Sequence, residues 1–289
     1  MSGCREFVFV VYAPTLVNLA MTRQERLVEL NIPGVTSLLQ IVHGSHDRVI
    51  SERIIEDRCW EPFETSILVA SLQEGHCFLD IGANIGYFTL VAASLVGDEG
   101  LVYSVEPEPS NFHLMTKSLY LNKLSDRVIA KRLALSNRDG REKLFLSPNN
   151  LGDHQLYPDT TVRESISVIL RHGSRLLSTD IKRLDFIKID TQGSEYQILE
   201  GLKPLLSKWS SLPRMLIELT PFSLRMAGNS GTELVNLLEA LGARLWIVDH
   251  VQHELLPTTP KSLCSWCNNV DAVLDDRGFL NIFVGESPF

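Results

Sequence analysis

The chain lacks a hydrophobic run long enough to cross a membrane as a helix. Its longest apolar stretch, Phe7–Ala20, has 14 positions, short of the roughly 20 that a span requires. It is also a poor secretion signal. Arg5 sits beside Glu6, Pro14 interrupts the run, and no small-residue cleavage site follows. The stretch is read as a leader outside the working domain, with Met21 as an alternative start. Cysteine is scarce and odd in number: Cys4, Cys59, Cys77, Cys264 and Cys267. That excludes a disulfide framework and points to free thiols in a reducing, cytoplasmic setting. Cys264-x-x-Cys267 has no second pair to complete a zinc ribbon. Basic residues are outnumbered, 27 to 35, for a net charge of −8, which argues against a nucleic-acid partner. The eight histidines never fall at ligand spacing on one helix, so no metal is expected. There is no internal repeat and no low-complexity tract.

What the chain does have is ordinary globular composition, 44% hydrophobic over 289 residues, enough for one full core. Residues 1–70 read as a leader and cap segment. There Arg26–Leu30 and Pro62–Leu72 carry helical apolar spacing, and Leu38–Val42 and Arg48–Ile50 alternate loosely as strands. Residues 71–289 read as one domain of alternating strands and helices. The predicted strands are His76–Ile81, Leu101–Glu106, Val128–Leu133, Leu184–Asp190, Met215–Leu219, Arg244–Val248 and Phe279–Val284. The predicted helices are Tyr87–Leu95, Asn111–Asn122, Glu195–Leu206 and Thr232–Leu241. Residues 147–180 are irregular apart from a strand at Ile166–Leu170, and 249–278 read as loop. Such alternation means a mostly parallel α/β sheet covered on both faces. Ligands of these sheets sit beyond the strands' carboxyl ends, which here are Asp80, Glu106, Ala134, Asp190 and Glu218.

The densest signal is Asp80-Ile81-Gly82-Ala83-Asn84-Ile85-Gly86, a strand end, a glycine loop and a helix start. The layout predicts backbone N–H groups turned toward a small molecule. The spacing Gly82-x-x-x-Gly86 lacks the middle glycine of the dinucleotide fingerprint, and Asp80 would repel a pyrophosphate. Asp80 suits an ammonium-bearing ligand instead. S-adenosylmethionine carries an ammonium, a cationic sulfonium and no phosphate. Glu106 ends the next strand, twenty positions after Gly86, where a carboxylate accepts hydrogen bonds from ribose hydroxyls. Pro107 holds that turn. Farther on, alternation puts Lys188 and Asp190 on one face of their strand. Lys188, a charge in an apolar strand, needs a carboxylate partner: Asp80, Glu218 or Asp190. Glu195 reads as part of a helix-capping network with Thr191 and Ser194.

Four segments together resemble the FkbM family of class I S-adenosylmethionine-dependent methyltransferases. They are Phe78–Thr89, Val105–Pro109 with Asn111 and Asn122, Ala134–Ser136 with Gly140, and Ile187–Glu195 with Leu199–Gly201. Trp60-Glu61-Pro62 is similar to the family's segment ahead of the first motif. The resemblance spans about 46–250 in the family's order. It implies a Rossmann-like, mostly parallel seven-stranded sheet with helices on both faces and the last strand antiparallel. It implies methyl transfer from S-adenosyl-L-methionine to a hydroxyl of a sugar or secondary metabolite, so the partner is a small-molecule or glycan acceptor. Carried over by position, Asp80, Gly82, Ala83, Asn84 and Gly86 line the methionine moiety. Glu106 and Pro107 hold the ribose, Ala134 lies by the adenine, and Asp190 sits near the methyl. Where many members have Glu before the fourth-segment glycine, this chain has Gln192.

Attack by a hydroxyl oxygen requires a proton acceptor. Asp190 is the first candidate, with His154 and His172 from the irregular segment as runners-up. A divalent ion held by Asp190 and Glu218 is the alternative, although two carboxylates make an incomplete site. The rival functions are an NAD-linked oxidoreductase or epimerase, against which the missing glycine speaks, and a methyltransferase-like binding module without turnover.

Overall fold

The computed structural model describes residues 21, 22, 24–44, 47–158, 162–178 and 181–289. The proposed leader, Cys4 and His46 lie outside these residues. In chain order the lead-in holds strands β1 (Glu25–Glu29) and β2 (Leu39–His43) and helices α1 (Ile50–Asp57) and α2 (Pro62–Ser71). Then come β3 (Cys77–Ile81), α3 (Tyr87–Leu95), β4 (Leu101–Val105), α4 (Pro109–Leu121) and β5 (Val128–Lys131). An insertion follows, with β6 (Ala134–Ser136), β7 (Gly140–Phe145), β8 (Ser165–His172) and α5 (Gly173–Leu177). The second half contains β9 (Phe186–Ile189), α6 (Glu195–Leu206), β10 (Arg214–Leu219), α7 (Pro221–Met226) and α8 (Gly231–Ala240). It closes with β11 (Leu245–Asp249), β12 (Glu254–Thr258), α9 (Pro260–Asp271) and β13 (Leu280–Val284).

The central sheet runs β12-β11-β13-β10-β9-β3-β4-β5. Strands β5, β4, β3, β9 and β10 are mutually parallel, and β13 is antiparallel to both β10 and β11. The expected seven strands are all there, including the antiparallel last one. An eighth, β12, extends the edge by pairing antiparallel with β11. Residues 249–278 are therefore not loop: they hold β12 and α9. Two other expectations fail in the lead-in. Arg26–Leu30 is not helical, because β1 pairs with β2 from Glu25↔His43 to Glu29↔Leu39. Pairing to the buried Ile41 and Val42 outweighs an i, i+3 spacing only one turn long. Arg48–Ile50 is the entry to α1 and not a strand.

Every residue of β3 and β9 is buried, as fits strands covered on both faces. Alternation divides the core into two clusters. Phe78, Phe186, Leu216 and Phe283 face α2, α3 and the lead-in residues Ile41, Ile54 and Phe63. Leu79, Ile81, Ile187, Ile189 and Ile217 face α6 and α8. The lead-in thus packs into the same core as α3. Asn122 anchors it like an added strand residue, accepting from the Leu39 N–H at 2.9 Å and donating to the Leu39 carbonyl at 2.7 Å. The insertion forms a separate small sheet, β6-β8-β7. Among the described residues no helix is long and apolar enough to cross a membrane.

After β5 the chain returns to the far side of β3, so strand order reverses between β3 and β9. Crevices open at such reversals. In register, Asp80 stands beside Lys188 there.

Candidate functional site

Two cavities meet at the carboxyl ends of β3, β4 and β9, sharing Gly82, Asn84, Gly152 and Asp190. The larger, about 380 Å³, falls within the range of small-molecule sites, roughly 300–1,000 Å³.

The glycine loop is shaped by the sheet and the helices. A side chain on Gly82 (φ +79°) would come 1.9 Å from the Asp190 carbonyl oxygen. Gly86 (φ +82°) packs against Met115 of α4, 2.3 Å from where its Cβ would stand. Gly86 lines neither cavity, which corrects its reading as a ligand contact: the spacing serves helix packing. A second correction concerns the backbone. Gly82 and Ala83 both donate to the Val105 carbonyl at 3.1 Å, and Gly86 donates to Ala83. Asn84 N–H donates to Glu106 Oε2 at 2.8 Å, and Ile85 N–H to Asn84 Oδ1. All five N–H groups of the loop are spent inside the protein. A phosphate-cradling loop leaves such donors free, so this one is unsuited to a pyrophosphate.

The smaller cavity is a slot between Glu106 and Pro107 on one side and Leu133, Ala134, Leu144 and Ile198 on the other. Glu106 is 5% exposed and accepts from the Asn84 and Glu108 N–H groups, each at 2.8 Å. Burial pushes its carboxyl up to about 8, against those two hydrogen bonds. Leu151 roofs the slot, its carbonyl receiving Asn84 Nδ2 at 2.9 Å and Asn111 Nδ2 at 3.3 Å.

His154 also lines this slot. Its Nδ1 accepts from the Ser147 N–H at 3.0 Å, and burial, with Arg163 nearby, pushes the ring down to about 4. His172 lines neither cavity. It ends β8 opposite Ser136. It is therefore not placed to act on a ligand there.

The larger cavity is lined by charge and aromatic rings. Asp80 is 1% exposed. Its Oδ2 accepts from Thr89 Oγ1 at 2.6 Å, and its Oδ1 has no partner. Burial raises its pKa, against the pull of Lys188 and Thr89. Lys188 finds its partner in Asp190, at 2.8 Å, and lies 4.7 Å above the Phe88 ring. Burial disfavours its charge, yet the carboxylates of Asp190, Glu61 and Asp80 together raise its pKa. Gln192 Nε2 donates to Glu218 Oε2 at 2.7 Å. Burial, with Asp190 and Glu195 close, holds Glu218 well above the ordinary carboxylate range. Glu195 itself accepts from Thr191 N–H, Thr191 Oγ1 and Gly193 N–H, a local network with Thr191, while Ser194, the N-cap of α6, makes no side-chain capping bond. Among the described residues no group of three or more His, Cys, Asp and Glu side chains is placed to hold a metal.

Sequence reasoning missed part of this wall. Trp60, Glu61, Tyr157, Phe222 and Arg277 all line the larger cavity. Only Trp60-Glu61-Pro62 carries a signal, its likeness to the family's segment ahead of the first motif, which does not by itself place Glu61 in the cavity. Glu61, Asn84 and Gln192 all have left-handed backbone, with φ of 42°, 53° and 53°. Such strain on residues lacking glycine's freedom gathers at functional sites.

A parallel α/β sheet with a charged crevice at its strand reversal, next to a slot ending in a buried carboxylate, defines a Rossmann-like nucleoside-binding domain. Comparison with known proteins narrows this. The Methyltransferase FkbM domain matches residues 80–245, and the chain belongs to that family of methyltransferases. It is similar to Methyltransferase 1 of Beauveria bassiana, 24% identical over 190 residues, covering 59% of this chain and 72% of that protein. It is also similar to Methyltransferase sdnD of Sordaria araneosa, 23% identical over 230 residues, covering 69% and 83%. The Hexuronic acid methyltransferase AglP of Haloferax volcanii is 25% identical over 142 residues, 47% of this chain and 54% of that protein.

The cofactor implied by the family fits the residues present. Asp80 Oδ1 is a buried acceptor with no donor, suited to an ammonium group. Glu106 retains lone pairs on both oxygens for two hydroxyls.

Proposed function

We propose that this protein transfers the methyl group of S-adenosylmethionine to a hydroxyl oxygen of a sugar or secondary metabolite. The observation that carries this reading is the pairing of the two cavities: a slot with one buried carboxylate, Glu106, opening onto a chamber lined by acceptor groups and rings. Glu106 and Pro107 would hold the ribose, and Leu133, Ala134 and Ile198 the adenine. Asp80, Gly82, Ala83 and Asn84 would hold the methionine end. When bound, S-adenosylmethionine supplies a methyl group already activated on a sulfonium. What remains for the protein is alignment. Asp190, paired with Lys188 at 2.8 Å, lines both cavities where they meet. Gln192, Asn150 and Glu218 accept or donate hydrogen bonds to a polyhydroxyl acceptor, while Trp60, Tyr157 and Phe222 supply apolar faces of the kind a pyranose ring stacks on. The Haloferax relative, named for a hexuronic acid, supports a sugar acceptor.

The loop's internally satisfied N–H groups weigh against the NAD-linked rival. The test is direct. Calorimetry should show S-adenosylmethionine binding and no comparable NAD binding. Labelled S-adenosylmethionine mixed with sugar and polyketide alcohols should yield labelled ether. Binding without transfer across that panel would favour the non-catalytic module. Cys59, Cys77, Cys264 and Cys267 are free, which supports a reducing, cytoplasmic setting.

A further inference from the structure

The carboxylates of the larger cavity are not equivalent. Asp190 is tied to Lys188 at 2.8 Å. Glu218 Oε2 accepts from Gln192 Nε2 at 2.7 Å and Thr220 Oγ1 at 3.2 Å. Asp80 is held by Thr89 beneath the loop. Glu61 differs from all three: among the described residues its side chain makes no hydrogen bond and no ion pair, although it lines the cavity. Its backbone is held at φ 42°, ψ 71° as the N-cap of α2. Pro62 follows, and a proline disfavours helical backbone in the residue before it. A glutamate adopts this left-handed backbone only where the surrounding structure imposes it. Packing fixes it: Pro62 opens α2, whose Phe63, Ile67 and Leu68 lie in the core. The fold thus holds an unpartnered carboxylate at the chamber wall in a conformation a glutamate does not choose.

We propose that Glu61 is the catalytic base of this site, taking the proton of the acceptor hydroxyl as its oxygen is methylated. The inference rests on the methyl-transfer reading of the same cavity. In the step, the acceptor O–H bond breaks and its proton moves to a Glu61 carboxylate oxygen. The acceptor oxygen bonds to the methyl carbon. The carbon–sulfur bond breaks with its electron pair left on sulfur, turning the sulfonium into a thioether.

The surroundings suit the task. The charged groups acting on Glu61 are Lys188 and Asp190 at β9, Glu64 on α2 and Glu218 on β10. Burial pushes the Glu61 carboxyl up to about 8, with Lys188 opposing and Asp190 and Glu64 adding to it. A base works best when its pKa lies near the working pH. The other candidates are less suited. Asp190 is already tied to Lys188, His154 lines the nucleoside slot, and His172 lies outside both cavities.

Glu61→Gln and Glu61→Gly test this, the second because glycine accepts the left-handed backbone without strain. Three measurements are made on the full chain: calorimetric affinity for S-adenosylmethionine, transfer to a panel of hydroxylated acceptors across pH, and infrared difference spectra of the protonated carboxyl band. Both variants should bind S-adenosylmethionine and lose at least about 100-fold in kcat. The wild type should gain rate as pH rises toward 8, and Glu61→Gln should lose that limb. The wild-type spectrum should contain a carboxyl band titrating near 8 that Glu61→Gln lacks. Variants that keep wild-type kcat and its pH limb overturn the proposal. If the wild type methylates no acceptor, it is the methyl-transfer reading that fails. The infrared arm then still judges Glu61, and a spectrum unchanged by Glu61→Gln overturns its assignment as the proton-holding group.

Discussion

Lys188 Nζ lies 2.8 Å from Asp190 Oδ2 at the end of β9, with the lysine side chain 7% exposed. It is a cation acting on the carboxylates of Asp80, Asp190, Glu61 and Glu218. Lys188→Met should therefore cost about 3 kcal/mol, the scale for stranding buried charge. The loss should be larger at pH 8 than at pH 5, because protonation relieves the stranded carboxylates. Urea unfolding at the two pH values measures both. Equal midpoints for variant and wild type at pH 8 would show that the pair adds nothing to stability.

Asp80→Ala and Glu106→Ala should weaken S-adenosylmethionine binding. Each removes a buried hydrogen-bond acceptor aimed at the cofactor, a loss of about 1.5–3 kcal/mol, or roughly ten- to a hundredfold in Kd. Glu106→Ala also frees the Asn84 and Glu108 N–H groups, so loop order should fall with affinity. Calorimetry on folded variants decides this. Normal binding by both would falsify the assignment of the loop and slot to the cofactor.

The two loop glycines should respond differently to alanine. At Gly82 the new Cβ meets the Asp190 carbonyl in the centre of the sheet, whereas at Gly86 it meets the flexible Met115 side chain. Both suffer the left-handed backbone. Gly82→Ala should destabilise by several kcal/mol, about the upper end for single changes, and Gly86→Ala by less. Denaturant midpoints give the order, and the reverse order would contradict the packing described.

The unliganded protein should lose stability as pH rises from 6.5 to 8. Glu106 and Glu61 have folded values near 8, raised by burial from 4.5. The native state therefore holds protons that the unfolded chain has released, and stability falls with rising pH. Below 6.5 the effect is opposed by His154, whose folded value is lowered to about 4. Thermal midpoints should decline across 6.5–8, and Glu106→Gln should flatten the slope. A rising midpoint over that window would refute the sign.

What the sequence determined by itself was everything carried by periodicity and spacing. Buried β3 and β9 show as apolar runs interrupted only by Asp80 and Lys188, and the βα alternation and the acidic strand ends follow from residue order, whereas the antiparallel last strand came only from the family resemblance. The Asp80–Gly86 and Glu106 pair was legible because both lie within one βαβ unit, where the connection is too short to place them elsewhere. The tertiary structure alone decided what depends on contacts between distant segments. It made Arg26–Leu30 a strand by pairing it to β2, and 249–278 a hairpin strand and helix. It took His172 out of the crevice and turned the loop's N–H groups inward. It also brought Glu61, more than a hundred positions from Asp190 in sequence, to the same chamber. Local pattern encodes which face of an element is buried. Which buried faces meet, and which charge is left without a partner, is settled only when the lead-in packs against the sheet.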